Sequence, residues 1–443
     1  MPLRVLHLSD IHFSTKFNDE KIVHTDVRDQ LLNDLRNEMV PRLGSLDKVL
    51  IAGDIAFSGK RAEYEEAAEW LEQVTSLCGC RRTDVLTVPG NHDVDRNRIL
   101  PATKSIHRRL RTCSMPEASR ELFELAAQND GSLTDKLTDY QAFASGYGCH
   151  FESPSRPQWS HSFSLGNGLV LKFVGLTTVQ VCDRDDEKGA LLLGRHQYVI
   201  ERKPRVEVIV VMHHPPEWIK DRREASQYLD SRARVQVFGH EHFQEIHRIT
   251  DANQETRLVI CSGAVTPENA ADPYIYRYNI LDFVLGDDDA DPCLAITVFP
   301  RLWIPETTRF EADTGRLGGH ESATFSLPCP QFRLPAAETP SPGLVAAGSH
   351  NGGTVVGAED GEAFAKVSYF FWRYLNWQER LKVIVEADVL PTAPEAPGLQ
   401  AVAHMALERA RHEGKLGQLW DRIMVIVPEG KKEPNPFINH NNN

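Results

Sequence analysis

The chain has 443 residues, of which 41% are hydrophobic and 25% charged, a composition typical of a folded globular protein and not of a disordered or collagen-like one. Its net charge is −13, and residues 361–443 carry as many acidic as basic side chains, so the negative excess lies in residues 1–360. This distribution argues against a broadly basic surface that tracks duplex nucleic acid, although a local basic stripe would not show in the count.

Five segments in the first part of the chain share one pattern, in which an apolar, β-branched run ends in a turn rich in Asp, His, Asn and Gly. They are residues 5–12, 49–54, 85–93, 206–216 and 235–242. Continuous apolar runs of this length predict strands that are buried on both faces. We therefore expect the polar residues that follow these strands to lie along one edge of a sheet.

Helices are predicted between the first three strands, because residues 26–38 and 63–77 place apolar side chains at helical spacing. This alternation of strand and helix is typical of an α/β domain. Residues 94–160 interrupt it with Arg- and Ser-rich helical stretches, which we interpret as an insertion near the edge where the strands end. Short strands between residues 258 and 303 predict a second sheet that closes the domain.

The C-terminal part has a different character. Residues 311–360 are rich in Pro and Gly and predict a linker that follows a domain over residues 1–310. Residues 361–427 place apolar side chains at helical spacing and predict a small all-α domain. The polar tail, residues 428–443, is predicted to be disordered.

The sequence also bears on location in the cell. No apolar run reaches the ~20 residues that a membrane span needs, and the N-terminus leads into a strand without a cleavable signal segment. The eight cysteines lack the spacing of a zinc ribbon and the density of a disulfide scaffold. We therefore expect a cytoplasmic protein with free thiols and no membrane partner.

The polar residues after the strands suggest a metal centre when they are taken together, although each alone is explained by a turn or cap. They are Asp10, His12, Asp54, Asn91, His213, His240 and His242. Oxygen and nitrogen donors at the ends of α/β strands, with one shared carboxylate, suit two metal ions ~3.5–4 Å apart. Because the set has no thiolate, we expect divalent or trivalent ions such as Mn or Fe, with Zn possible.

Five motif blocks carry a family resemblance. Asp-x-His, Gly-Asp, Gly-Asn-His-Asp, His-x-Pro-Pro and Gly-His-x-His occur in this order within residues 10–242, and together they resemble the calcineurin-like metallophosphoesterase superfamily. The resemblance implies an α/β fold, a two-sheet α/β/β/α sandwich with the metal site along one edge.

The resemblance also implies a role for each ligand. Asp10, His12 and His242 would hold one metal ion, Asn91, His213 and His240 would hold the other, and Asp54 would bridge both. The His-x-Pro spacing selects His213 over its neighbour, and His214 stays open as the alternative.

A phosphoesterase of this kind uses a water or hydroxide between the two metal ions to attack phosphorus. The leaving oxygen also needs a proton, and His92, next to Asn91 but outside the ligand set, is our candidate donor. Asp93 is the candidate that orients its imidazole. The alternative is that His92 only packs the loop.

The Gly-Asp block, the second of the five motif blocks, narrows the class of substrate. Residues 53–59 lack the Gly-Asp-x-x-Asp-Arg-Gly form of the protein Ser/Thr phosphatases, so the arginine that grips a phosphomonoester is absent there. The block is more similar to the bacterial phosphodiesterase branch, which implies a phosphodiester substrate of nucleotide type. The alternatives are a phosphomonoesterase, a binding module without activity, or a DNA or RNA nuclease.

Basic residues in the insertion bear on the nuclease alternative, since they are suited either to a phosphate backbone or to a solvated helix face. They are Arg96, Arg98, His107, Arg108, Arg109 and Arg111. The helical domain weakly resembles adaptor domains of bacterial conflict and signalling systems. It therefore predicts a protein partner or self-association through residues 361–427.

Overall fold

The structure, a computed structural model, describes residues 2–16, 19–153, 155–242, 245–251, 256–266, 276–286, 293–329, 358–391 and 398–437. The chain divides into two compact units. The first comprises Met1–Ala144 and Cys149–Leu334, and the second comprises Ser145–Gly148 and Pro335–Asn443. Among the described helices, none combines the length and apolar character that crossing a bilayer requires.

The strands of the described residues all belong to the first unit. In chain order they are β1 (Leu3–Leu8), β2 (Lys48–Ile51), β3 (Val85–Thr87), β4 (Gln158–Gly166), β5 (Leu169–Leu176), β6 (Val206–Val211), β7 (Ala233–Phe238), β8 (Glu245–Thr250), β9 (Thr256–Cys261), β10 (Arg277–Leu285), β11 (Cys293–Ile304), β12 (Arg309–Ala312) and β13 (Ala323–Pro328).

These strands form two mixed sheets. One has the order β12-β11-β10-β1-β2-β3, with β13 paired to β11, and the other has the order β4-β5-β6-β7-β9-β8. The strands β1, β2 and β3 are mutually parallel, as are β5, β6, β7 and β9. Because parallel neighbours end at the same side of a sheet, the loops after β1, β2 and β3 meet at one edge, and so do the loops after β6 and β7.

The helices of the described residues are distributed over both units. They are α1 (Asp19–Asp34), α2 (Val40–Leu43), α3 (Arg61–Cys78), α4 (Pro101–Thr112), α5 (Met115–Ala127), α6 (Thr138–Gly146), α7 (Arg195–Tyr198), α8 (Arg222–Arg232), α9 (Ala358–Tyr374), α10 (Trp377–Glu386), α11 (Leu399–His412) and α12 (Leu416–Ile426). A five-residue π-helical segment, Leu35–Met39, joins α1 to α2.

The two sheets pack against each other through buried aromatic side chains. The ring of Phe173 on β5 lies 6.0 Å from that of Phe283 on β10, edge to face. The indole N–H of Trp159 on β4 donates to the carbonyl oxygen of Thr87 on β3 at 2.7 Å. The predicted two-sheet α/β sandwich with a helical C-terminal region is therefore confirmed.

One expectation about the strands is wrong. The strands between residues 258 and 303 do not form a separate second sheet, because β9 pairs with β7 whereas β10 and β11 extend the sheet of β1. Alternate side chains of β11 are buried, which suits a sheet covered on one face, whereas β10 is buried on both faces from Arg277 to Leu281. Residues 274 and 275, which we assigned to one of these strands, lie outside the described residues.

The predicted linker and tail also need correction. Residues 323–328 form β13, which pairs with β11 from Cys293 to Val298, so the linker cannot begin at residue 311. Residues 330–357 of the predicted linker lie outside the described residues. The predicted disordered tail is ordered in part, because the Asn435 side chain donates to the carbonyl oxygen of Gly417 at 3.0 Å. Residues 438–443 of the tail lie outside the described residues.

The second unit has an aromatic core of its own. Phe370 on α9 and Trp420 on α12 are both fully buried, and their rings lie 5.0 Å apart, edge to face. The side chain of Arg380 on α10 donates to the carbonyl oxygens of Phe371 and Trp372, which ties α10 to the end of α9. The apolar residues that the sequence placed at helical spacing thus form the interior of this unit.

Candidate metal centre

The predicted ligands converge from five strand ends. Asp10 and His12 follow β1, Asp54 follows β2, Asn91 follows β3, His213 follows β6, and His240 and His242 follow β7. Three overlapping groups have ligand atoms that all lie within 4.8 Å of one another: Asp10, Asp54 and His213; His12, Asp54 and His92; and His213, His214 and His240. The structure therefore gathers donors from both sheets at one place.

Asp54 occupies the middle of this cluster. Its Oδ2 lies 3.4 Å from His12 Nε2 and 3.2 Å from His213 Nε2. Its Oδ1 accepts a hydrogen bond from the backbone N–H of His92 at 2.7 Å. One carboxylate oxygen is thus shared between imidazoles that belong to the two predicted metal positions.

On one side of Asp54 lie Asn91, His213 and His240. Asn91 Oδ1 is 3.1 Å from His213 Nε2, and the rings of His213 and His240 are 5.1 Å apart. His214 also borders this group, with its ring 4.3 Å from that of His240. The geometry places His213 beside Asp54 and Asn91, as the motif spacing predicted, and leaves His214 next to His240.

On the other side of Asp54 lie Asp10, His12 and His242. Asp10 Oδ1 is 3.3 Å from His242 Nε2, and the rings of His12 and His242 are 6.1 Å apart. Asp10 is fully buried and His12 nearly so, whereas the His242 side chain is 35% exposed. This side of the cluster therefore opens to solvent at His242.

The cluster favours ionised carboxylates, and the pKa values of its histidines shift in both directions. Burial opposes the charged form of His213, but Asp54 outweighs it and raises the pKa to about 9, and Asp10 likewise raises the pKa of His242. Burial opposes ionisation of Asp54, but the imidazoles of His213 and His92 outweigh it and hold the pKa of this carboxyl well below its usual range. Burial and the nearby His213 lower the pKa of His240 to about 4. Burial and His240 lower the pKa of His214 in the same way. Two anionic carboxylates among imidazole nitrogens form a donor set that suits a cation.

A buried imidazole nitrogen supports this interpretation. His214 Nε2 is buried and makes no hydrogen bond to any described residue, and Asp10 Oδ1 is buried with His242 Nε2, 3.3 Å away, as its ion-pair partner. Because burying an imidazole nitrogen without a partner costs free energy, such an atom is usually matched by an ion or a water. The residues present therefore fit a metal centre of oxygen and nitrogen donors.

His92 lies at the edge of the cluster, with its ring 4.7 Å from that of His12. Its Nδ1 is 2.9 Å from the carbonyl oxygen of Phe57, which fixes the ring with Nδ1–H as the donor. The sequence analysis assigned this orienting contact to Asp93. The structure gives it to a backbone carbonyl, which no residue pattern could have identified.

Asp93 has a different place from the one we predicted. Its carboxylate accepts hydrogen bonds from the backbone N–H groups of Ile55, Ala56 and Gly90 and from the hydroxyl of Tyr64. Burial and the charge of Asp54 raise the pKa of Asp93 to about 6. Asp93 thus ties the loop after β2 to the loop after β3.

Two further contacts, which orient the rings of His213 and His12, could not be seen in the sequence. His213 Nδ1 pairs with the carbonyl oxygen of Ala52 at 2.8 Å, and His12 Nδ1 pairs with that of Thr266 at 2.7 Å. In the sequence, the one feature that could have pointed to a supporting role for Thr266 is its position a few residues after the short strand β9. These carbonyls fix the tautomers so that Nε2 of each ring faces the cluster.

One glycine of the motif blocks is needed for close approach. A Cβ atom on Gly90 would lie 2.1 Å from Asp54 Oδ1. The Gly-Asn-His-Asp block therefore requires glycine because the backbone before Asn91 packs directly on the Asp54 carboxylate.

Comparison with known proteins gives the same picture. Residues 3–244 match the family model of the calcineurin-like phosphoesterases, and residues 363–425 match that of the GTPase-associated adaptor domain. The uncharacterized metallophosphoesterase-like protein YydB of Bacillus subtilis is 26% identical over 284 residues, which cover 62% of this chain. The chain spans 56% of the length of that relative.

Comparison with solved structures gives weaker matches, two of which serve as examples. Vps29 of Entamoeba histolytica in complex with Zn is 11% identical, with a TM-score of 0.31, over 73% of this chain and 99% of that one. The NAD nucleotidase of Haemophilus influenzae is 13% identical, with a TM-score of 0.33, over 70% of this chain and 53% of that one. At these values neither structure carries an argument about function.

Proposed function

Because the chain belongs to the calcineurin-like phosphoesterase family, we propose that it is a binuclear metal-dependent phosphodiesterase that acts on nucleotide-type substrates. The observation that carries the proposal is the position of Asp54, whose Oδ2 lies within 3.4 Å of His12 Nε2 and 3.2 Å of His213 Nε2. A single carboxylate oxygen between two sets of donors is the arrangement that a pair of metal ions needs.

Each metal ion would have its own set of ligands. Asp10, His12 and His242 would hold one, Asn91, His213 and His240 would hold the other, and Asp54 would be shared. The donors are oxygen and nitrogen atoms only, which favours Mn or Fe and permits Zn. When bound, the ions would lower the pKa of a water and neutralise charge on the phosphoryl oxygens.

The chain itself supplies the proton for the leaving oxygen. His92 is next to the proposed ligand Asn91, and the Phe57 carbonyl accepts from its Nδ1–H, so we assign proton transfer to the other ring nitrogen, Nε2. In the protonated ring Nε2–H can donate to the leaving oxygen as the phosphorus–oxygen bond breaks. Asp93 acts through the loop that it holds and does not touch the ring nitrogen that would transfer the proton.

A diester substrate is favoured over a monoester by the second motif block. The position that holds arginine in the protein Ser/Thr phosphatases is Ser58 here, and its hydroxyl donates to Glu63 Oε1 at 2.8 Å. This position thus offers no cation for the second negative charge of a monoester dianion. A phosphodiester carries a single charge and does not need one.

The basic residues of the insertion give little support to a nuclease. Arg111 is nearly buried and pairs with Asp183 and Asp186, and Arg109 pairs with Glu121. His107 is fully buried. Arg111 thus ties the insertion to the loop of Asp183 and Asp186, Arg109 is already paired, and His107 is inaccessible, so three of the six basic residues are poorly placed to contact a nucleic acid backbone.

The helical unit is proposed to recruit a protein partner or a second copy of the chain through residues 361–427. The support is the match of residues 363–425 to an adaptor-domain model. The unit would then determine where the enzyme acts, whereas the first unit, which contains every predicted metal ligand, would carry the chemistry.

An activity panel tests the proposal. The full chain with Mn²⁺ should hydrolyse bis(p-nitrophenyl) phosphate faster than p-nitrophenyl phosphate, should act on cyclic nucleotides, and should lose activity with a chelator. Single-stranded and double-stranded DNA and RNA belong in the same panel. Faster hydrolysis of the monoester, or of long nucleic acid alone, would overturn the proposed substrate class.

A further inference from the structure

A tryptophan that the proposed chemistry does not use borders the metal cluster. The ring of Trp218 lies 4.3 Å from that of His240, nearly perpendicular to it, and 5.5 Å from that of His214. Its side chain is only partly buried, in contrast to Trp420, which is fully buried in the second unit. An aromatic surface therefore reaches solvent directly beside a predicted ligand.

The position of this ring is fixed by the chain around it. Trp218 ends a short 3-10 turn, Pro216–Trp218, that follows the His-His-Pro-Pro block, and its backbone N–H donates to the carbonyl oxygen of Pro215 at 3.0 Å. Its carbonyl oxygen accepts from the backbone N–H of Leu191 at 3.0 Å. The segment that carries the ligand His213 thus also sets the place of the tryptophan.

The orientation of the ring is fixed by side chains. The indole N–H donates to Glu241 Oε1 at 2.7 Å, and Glu241 stands between the predicted ligands His240 and His242. Lys188 Nζ lies 2.8 Å from the same oxygen and 5.9 Å from the centre of the indole ring. The lysine balances the charge of Glu241, so that this carboxylate does not repel an anionic substrate from the site.

Trp218 and His92 border different parts of the cluster. The rings of His12 and Phe57 lie next to His92, whereas those of His240 and His214 lie next to Trp218. A phosphodiester carries two ester groups. If His92 protonates the group that leaves, the group that stays on phosphorus has Trp218 as its aromatic neighbour.

We propose that Trp218, held by Glu241 and Lys188, is a stacking platform for the nucleobase of the ester group that stays on phosphorus. This inference rests on the proposed phosphodiesterase function and names the feature of the substrate that the site recognises. Every nucleobase has a flat π surface, and stacking on a fixed indole loses little side-chain freedom. The class of substrate is therefore a nucleoside-containing phosphodiester, not an aliphatic one.

Two substrates with the same leaving group test the proposal. The p-nitrophenyl ester of thymidine monophosphate and methyl p-nitrophenyl phosphate both release p-nitrophenolate, so the ratio of their kcat/KM values measures recognition of the nucleoside alone. For the wild-type chain we expect a ratio well above one. The variant Trp218→Leu should lower this ratio by roughly 10-fold or more, mainly through KM, and Trp218→Phe should restore most of it.

The test includes a control variant and two measurements on every variant. Phe123→Leu removes an aromatic side chain that is 63% exposed on α5 and should leave the ratio at its wild-type value. Metal content and the thermal unfolding midpoint are measured for each variant, and Trp218→Met replaces Trp218→Leu if the latter does not fold.

An unchanged ratio in the folded variant, Trp218→Leu or its replacement Trp218→Met, would overturn the proposal, as would a wild-type ratio near one. A wild-type chain that hydrolyses neither diester with its metals bound would instead overturn the proposed function.

Discussion

At the scale of single residues, the candidate site is marked by its backbone as well as by its side chains. Most of the predicted ligands lie in the left-handed region of φ, which residues other than glycine adopt at a cost of roughly 1–3 kcal/mol each. They are Asp10, His12, Asp54, His240 and His242, with φ between 50° and 69°. Such strain is kept where the surrounding structure imposes it, and it clusters at functional sites.

The role of His92 can be separated from metal binding. The variant His92→Ala should keep its metal ions, because the ring is outside the predicted ligand set. It should slow hydrolysis of a cyclic nucleotide, whose leaving group is a poor one, by roughly 10²–10⁴-fold, and that of bis(p-nitrophenyl) phosphate much less. Rates on both substrates at equal metal content are the measurement, and equal losses on both would show that His92 does not donate the proton.

Asp93 is expected to stabilise the loops of the site. In the variant Asp93→Asn, the amide cannot accept all the hydrogen bonds that Ile55, Ala56, Gly90 and Tyr64 donate to the carboxylate. We expect the free energy of unfolding to fall by about 1–3 kcal/mol. Denaturant unfolding measures this change, with the exposed Asp26→Asn as control, and a variant as stable as the control would contradict the assignment.

The sequence could predict which side chains meet at the cluster because they follow apolar runs closely, and the runs fix the strand ends. It could not predict the contacts of Asp93 or His92. Those contacts depend on the path of the loops after β2 and β3, where the Phe57 carbonyl and not a neighbouring side chain reaches Nδ1 of His92. Every residue has a backbone carbonyl oxygen, so the sequence does not show which carbonyl will accept such a hydrogen bond.

At the scale of elements, the five strands that lead into the cluster were predictable, whereas several other strands and their pairing were not. Apolar runs identified β1, β2, β3, β6 and β7, and helical spacing identified α1 and α3. The partners of β10 and β11 were missed, because nothing in the residues of these strands shows which sheet each one joins. The edge strand β13 was missed because its sequence stands beside Pro-rich segments.

Helix α1 is held to its sheet by a buried ion pair. Both carboxylate oxygens of Asp34 contact the guanidinium of Arg301 on β11, and the hydroxyl of Tyr278 on β10 donates to Oδ2 of the same carboxylate. Asp34→Ala would leave the buried guanidinium unpaired and should lower the free energy of unfolding of the first unit by about 3–5 kcal/mol.

Chemical denaturation measures the effect of Asp34→Ala. Glu311→Ala is the matched control, because it removes the partner of Arg309 in an exposed pair and should hardly move the unfolding midpoint. Equal effects of the two substitutions would contradict the anchoring role of Asp34.

At the scale of the whole molecule, every predicted metal ligand lies in the first unit and the adaptor match lies in the second. A chain truncated after Thr339 should therefore keep its turnover on a small diester and lose any association with a partner or a second copy. Sedimentation or pull-down of the full and truncated chains, together with their rates, measures both properties. A fragment that binds metal normally but has lost turnover would show that the helical unit is needed for catalysis.

The central claim is that Asp54 is shared by two metal ions that carry out phosphodiester hydrolysis. Metal content and rate, measured together on the wild-type chain and on Asp54→Asn, test it most directly, with the exposed Glu38→Gln as control. The account predicts two metal ions per wild-type chain, and in Asp54→Asn a loss of bound metal together with a fall in rate of about 10³-fold or more. An Asp54→Asn protein that keeps two metal ions and nearly wild-type activity would contradict it.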